Sequence, residues 1–141
     1  MDRAALADLK IPADPDFIPL AKRLAGSLGS RLGFTLEALD ELNIALAQAC
    51  ASAIEAARET WGEQGELKLT FASTERGIAV DVEAVGPRSG VPAQRQAVMR
   101  EEDEVQRLAR EMIRCFVDDF KFQPARRNGR VRLRMVKYLI G

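Results

Sequence analysis

The chain has 141 residues, room for one domain whose core buries roughly 68 to 70% of the surface its unfolded form would expose, and too few for a second. A hydrophobic fraction of 47% and a charged fraction of 30% exclude wholesale disorder and fibrous repeats, and 21 basic against 21 acidic side chains remove bulk attraction to nucleic acid or anionic lipid. Histidine is absent, which deletes Ser-His-Asp and Cys-His catalysis and every imidazole metal site, leaving carboxylates as the acid-base groups at hand.

The N-terminus, MDRAALADLK, carries acids and has no apolar run of the kind a signal peptide needs. No stretch reaches the roughly 20 apolar residues of a membrane span. The expectation is a soluble, cytoplasmic protein. Residues 5–11 alternate loosely and stop at Pro12, which suits an edge strand. Asp14-Pro15 offers an N-cap and a proline at the first helical position, and Phe17, Leu20, Leu24 and Leu28 follow as the apolar stripe of a helix ending near Gly29 to Gly33. Thr35 caps a second helix over 36–59, striped by Leu39, Leu42, Leu46, Ala49, Cys50, Ala53 and Ala57.

After Trp61-Gly62 the period changes to two. Leu67, Leu69 and Phe71, then Ile78, Val80 and Val82, predict an antiparallel hairpin turning at Thr74 to Gly77. Residues 85–100, with two prolines and two glycines, read as a long loop of the functional or disordered kind. Glu101 to Glu104 open a third helix with an acidic first turn, and Val105, Leu108, Met112, Ile113 and Phe116 continue its stripe. Val117 to Phe122 and Val131 to Leu139 predict two closing strands around Asn128-Gly129. Cys50 and Cys115, neither in a Cys-x-x-Cys, read as buried small hydrophobes in a reducing compartment. The order predicts one α+β domain over 1–141, a two-layer sandwich with helices on one face of a mainly antiparallel sheet.

One segment adds a resemblance. Asp40-Glu41-Leu42-Asn43-Ile44-Ala45-Leu46-Ala47-Gln48-Ala49-Cys50-Ala51-Ser52-Ala53 is similar, in spacing and in its small and apolar positions, to the helix D-D/E-I/L-x-L/I-A-V/L-x-E-A-C-x-N-A of the anti-sigma regulatory factors. These are serine/threonine kinases of the histidine-kinase-like ATPase superfamily, the Bergerat fold. Val117-Asp118-Asp119-Phe120 and Met135-Val136-Lys137-Tyr138 also resemble the family's closing strands, so the likeness runs over nearly the whole chain. It implies an ATP- and magnesium-dependent kinase that sequesters a sigma factor and is countered by a STAS-type anti-anti-sigma partner.

The residues that would carry this chemistry depart from the family. Gln48 stands at the position of the catalytic glutamate and Ser52 at that of the magnesium-binding asparagine, with the i, i+4 spacing kept on a face away from Leu39, Leu46 and Cys50. A glutamine cannot act as a general base, and a serine hydroxyl is a weaker, shorter magnesium ligand. The family's D-x-G-x-G falls on Ala84-Val85-Gly86-Pro87-Arg88, where only Gly86 survives and alanine cannot accept from adenine. The phosphate-cradling G-x-G-L falls on Arg107 and Ala109, behind four acids. Conventional ATP and magnesium binding is therefore not expected.

From Lys121 to Lys137 inclusive there are seven basic residues and no acid, among them Arg130, Arg132 and Arg134 in alternation with Val131, Leu133 and Met135. They suit a solvated strand face balanced by Glu101 to Glu104 and Asp118-Asp119, a docking face for an acidic partner, or a nucleic-acid surface, the last without the interleaved aromatics that stack bases. Three functions stay open: a regulator of transcription that binds a sigma factor or a STAS protein with its ATP site degenerate, an active serine/threonine kinase, and a nucleic-acid-binding domain. The resemblance also implies self-association through the N-terminal strand, with Leu6, Leu9 and Ile11, and the first helix.

Overall fold

The computed structural model describes residues 4–87, 104–124 and 130–139. Strand β1 (Ala4–Pro12) leads into a single 3-10 turn, Pro15–Phe17, and helix α1 (Ile18–Leu32). Helix α2 (Leu36–Trp61), the hairpin β2 (Glu66–Ser73) and β3 (Gly77–Val85), helix α3 (Glu104–Phe116), and strands β4 (Asp119–Gln123) and β5 (Arg132–Tyr138) follow. The expected loop beyond Pro87, the first acids of the third helix and the Asn128-Gly129 turn lie outside the described residues.

Capping chemistry sets the helix ends. Asp14 Oδ1 accepts from the Asp16 N–H at 2.9 Å, and this cap opens the 3-10 turn, so α1 itself begins three residues later than the cap implies. Gly33 ends α1 at φ 98°, a left-handed conformation that costs glycine nothing. The Gly33 N–H then reaches Ser30 O and the Phe34 N–H reaches Gly29 O, the paired bonds of a Schellman end. Thr35 Oγ1 accepts from the Ala38 N–H at 3.1 Å and starts α2.

The sheet runs β1-β2-β3-β5-β4, antiparallel at every junction, with β1 and β4 at its edges. Period two sorts each strand. Leu67, Leu69, Phe71, Ile78, Val80, Val82, Leu133 and Met135 are fully buried under the helices. Lys68, Thr70, Glu83, Arg132 and Arg134 occupy the alternate positions, on the helix-free face. The long helix α2 crosses the covered face between α1 and α3, which is why it is buried around most of its girth and so rich in alanine.

Three expectations need correction. In α1 the core face is Ala21, Ala25 and Gly29, with Leu24 and Leu28 only partly buried and Leu20 exposed. Close approach to α2 selects the small residues one position around the helix from the leucines. In α3 the apolar stripe is mostly outside: Val105 is 71% exposed, Leu108 68% and Met112 46%, whereas Gln106, Ala109, Arg110 and Ile113 are buried. Cys50 is buried as expected, but Cys115 is exposed on α3.

Candidate functional site

Gln48 and Ser52 sit in the middle of α2, with Ser52 only 3% exposed and Gln48 half-buried. The flank they belong to is covered rather than open. One turn further on, Glu55 Oε2 accepts a 2.6 Å hydrogen bond from Gln106 Nε2 of α3. At the other end of the same contact, Lys137 Nζ donates to Glu41 Oε1 at 2.9 Å and to Phe116 O at 2.8 Å. The two links make α3 antiparallel to α2 and fasten it at both ends. The Glu41 carboxylate and a terminal helix carbonyl hold the Lys137 ammonium in place and offset the cost of its burial.

Ala84 is fully buried in the core, in line with Val80 and Val82, and its N–H donates to Val131 O at 2.9 Å. Gly86 lies against Trp61, at the C-terminal end of α2. A side chain there would come within 2.8 Å of the indole Cε2 and Nε1. The space left by this glycine is therefore occupied by tryptophan. Trp61 is nine residues beyond Ser52, about 13 Å of helix rise, so the Gln48/Ser52 pair and the Ala84/Gly86 pair lie at separate stations along α2. Arg107 and Ala109 are inside α3, the arginine exposed and the alanine buried. None of these side chains combines a general base with a ligand-facing acceptor.

The arginines of the last strand have another setting. Arg132 and Arg134 project on the helix-free face of β5, and exposed Arg130 precedes that strand. Between them stands Asp81 of β3, its side chain 11% exposed, with Arg132 Nη2 3.3 Å from Oδ2 and Arg134 Nε 4.0 Å from Oδ1. On the adjoining strand, Lys121 is opposite Arg134 and Gln123 opposite Arg132. These four line a surface hollow of about 130 Å³. Of the acids expected to balance the arginines, Asp119 shares the face of Lys121, opposite Val136. Asp118 Oδ2 accepts from the Tyr138 N–H at 2.7 Å, and Glu101 to Asp103 lie outside the described residues.

Sequence reasoning missed Asp81, Glu55, Gln106 and Lys137. Their local sequence does not set them apart, and only the register of β3 with β5 or the packing of α3 gives each its partner.

Comparison with known proteins adds lineage to this geometry. The chain is similar to the serine-protein kinase RsbW of Bacillus pumilus, 31% identical over 78 residues, which is 55% of this chain and 48% of the relative. Its likeness to the protein of the same name from Bacillus subtilis is 27% over 81 residues, 57% of this chain and 50% of the relative. With that from Listeria monocytogenes it is 27% over 120 residues, 80% and 76%. The chain thus spans about half the length of the two Bacillus relatives. Residues 11–137 match the histidine kinase-like ATPase domain, and the chain belongs to that family.

Proposed function

We propose that this protein is an anti-sigma-factor-like regulator of transcription that acts by binding proteins, a sigma factor or a STAS-domain partner, and no longer uses Mg-ATP as its family does. The observation that carries the reading is Ala84. Where the resemblance calls for an adenine-accepting aspartate, the side chain is a methyl group sealed in the core. Ser52, at the magnesium-ligand position, is buried on the flank that α3 covers. Gly86 is filled from one side by Trp61. These residues do not fit Mg-ATP.

The kinase-like fold then serves as a scaffold in the cytoplasm, one domain over 1–141, with the segment 85–100 and Arg130, Arg132 and Arg134 as contact surfaces. Self-association through β1 and α1 belongs to the same reading. β1 is a sheet edge on which Leu6 is exposed, whereas Leu9 packs against the core and Ile11 is buried; Phe17 and Leu20, at and just after the start of the helical segment, are exposed.

Isothermal titration with ATP and ADP in millimolar magnesium tests the central claim. A dissociation constant weaker than about 50 μM, roughly −6 kcal/mol, is expected. Tighter binding together with serine phosphorylation of a STAS partner would establish an active kinase in its place. Light scattering reads self-association, with a strict monomer, unchanged by removal of residues 1–11, counting against it.

A further inference from the structure

The helix-free face of β4 and β5 carries more positive charge than the fold consumes. Register sets two rows across the sheet, Thr70-Asp81-Arg134-Lys121 and Lys68-Glu83-Arg132-Gln123. Both acids of these rows stand on β3. Asp81 is flanked by two guanidiniums and nearly covered, while Arg132 and Arg134 remain 44% and 32% exposed. On β4 and β5 these rows hold Lys121, Arg132, Arg134 and the neutral Gln123, the four residues that line the hollow, while exposed Asp119 stands in the next row, opposite Val136, outside the lining.

Lysine and arginine offer donors only, and the glutamine amide can turn its NH2 inward, so the walls complement an acceptor that bears negative charge. The hollow's volume of about 130 Å³ exceeds the about 30 Å³ share of a water molecule and admits the end of an acidic side chain. We infer that this hollow is the docking point for a carboxylate-bearing segment of a protein partner, beside Asp81, which pairs with Arg132 at 3.3 Å and lies 4.0 Å from Arg134. The inference rests on the protein-binding reading above and gives that partner its chemistry. Protein is favoured over nucleic acid because neither row contains an aromatic ring for base stacking. Phe120 and Phe122 lie beneath Arg114 and Arg110 of α3. The ring on this face, Tyr138, is four residues beyond Arg134, about 13 Å along the strand. The zero net charge of the whole chain likewise supplies no long-range pull on a polyanion.

The test is an amide chemical-shift titration of the full chain with an oligoglutamate peptide, beside an oligothymidylate of matching length, at low and at moderate salt. Peptide-induced shifts clustered at Lys121, Gln123, Arg132 and Arg134 are expected. Lys121→Glu should weaken the peptide about tenfold at low salt, and Gln123→Glu should act in the same direction, both with unchanged melting temperature. Arg132 and Arg134 are left intact because Asp81 depends on them. Shifts that are absent or centred elsewhere, or equal shifts by the oligonucleotide at the same residues, overturn the inference. A sigma or STAS partner that binds wild type and Lys121→Glu alike would overturn the hollow and leave the regulator reading standing. Tight Mg-ATP binding with the peptide still seated at these four residues would do the reverse.

Discussion

Helix α2 is held differently on its two flanks. Toward α1 the contact is made by Ala21, Ala25 and Gly29, four residues apart, which let the two backbones approach closely and leave shape as the determinant. Toward α3 it is made by the Gln106–Glu55 hydrogen bond, the Lys137 link and a short buried row of Gln106, Ala109, Arg110 and Ile113. Gln106 Oε1 and Arg110 Nη1 on that flank are buried without a hydrogen-bond partner among the described residues, and on the α1 side Asn43 Oδ1, near Gly26, is in the same position, each at a cost of about 1–3 kcal/mol. One helix is thus fixed by packing of small residues on one side and in part by polar ties on the other, and the second side is expected to yield first.

The two flanks can be weighed against each other directly. Thiol labelling should give the largest effect. Burial pushes the Cys50 thiol up to about 12 from a reference of 9.0, so in the folded chain only Cys115 of α3 should react at neutral pH. Because the folded state holds the Cys50 proton more tightly, its contribution to stability is complete below pH 9 and is lost as pH rises toward about 12. Alkaline unfolding that exposes a second reactive thiol would show it. Equal labelling of both thiols at neutral pH would mean that the centre of α2 opens as readily as α3.

Overpacking the shape-determined flank with Ala25→Leu should cost about 2–3 kcal/mol in urea unfolding. Lys137→Met, which removes the tie to Phe116 O and Glu41, should cost about 1–2 kcal/mol, most of it from the buried carbonyl since Glu41 is partly solvated. It should also speed amide exchange in α3 more than in α1. Gln106→Leu, by contrast, trades an incompletely satisfied amide for an apolar group and should change stability by less than about 1 kcal/mol. A loss larger than that of Ala25→Leu would reverse the ranking of the flanks. The smallest effect belongs to Leu108→Lys. Its side chain is exposed, so the change should stay within about 0.5 kcal/mol, even though the spacing of α3 marks Leu108 as core.

Much of the fold is legible from local signals. Thr35, Gly33 and the Thr74 to Gly77 turn act within a few residues of themselves, and the structure places the helix start, the helix end and the hairpin where they do. The alternation of Leu67, Leu69 and Phe71 names the covered sheet face without ambiguity, since a slip of one residue would expose all three. The site is less legible. Gln48, Ser52, Ala84 and Gly86 can be located by resemblance, yet the burial of Ser52 comes from α3 and the filling of Gly86 comes from Trp61, neither of which is near in sequence.

Period, capping and residue identity are properties of short windows, and by themselves they set the order of helices and strands and the covered side of the sheet. Only the tertiary structure decided which face of α1 and α3 is inside, because apolar spacing gives a helix its stripe but not its neighbour. Tertiary structure also decided that Asp81 lies between Arg132 and Arg134, because a pairing across β3 and β5 joins residues more than fifty positions apart and exists only once their register is set.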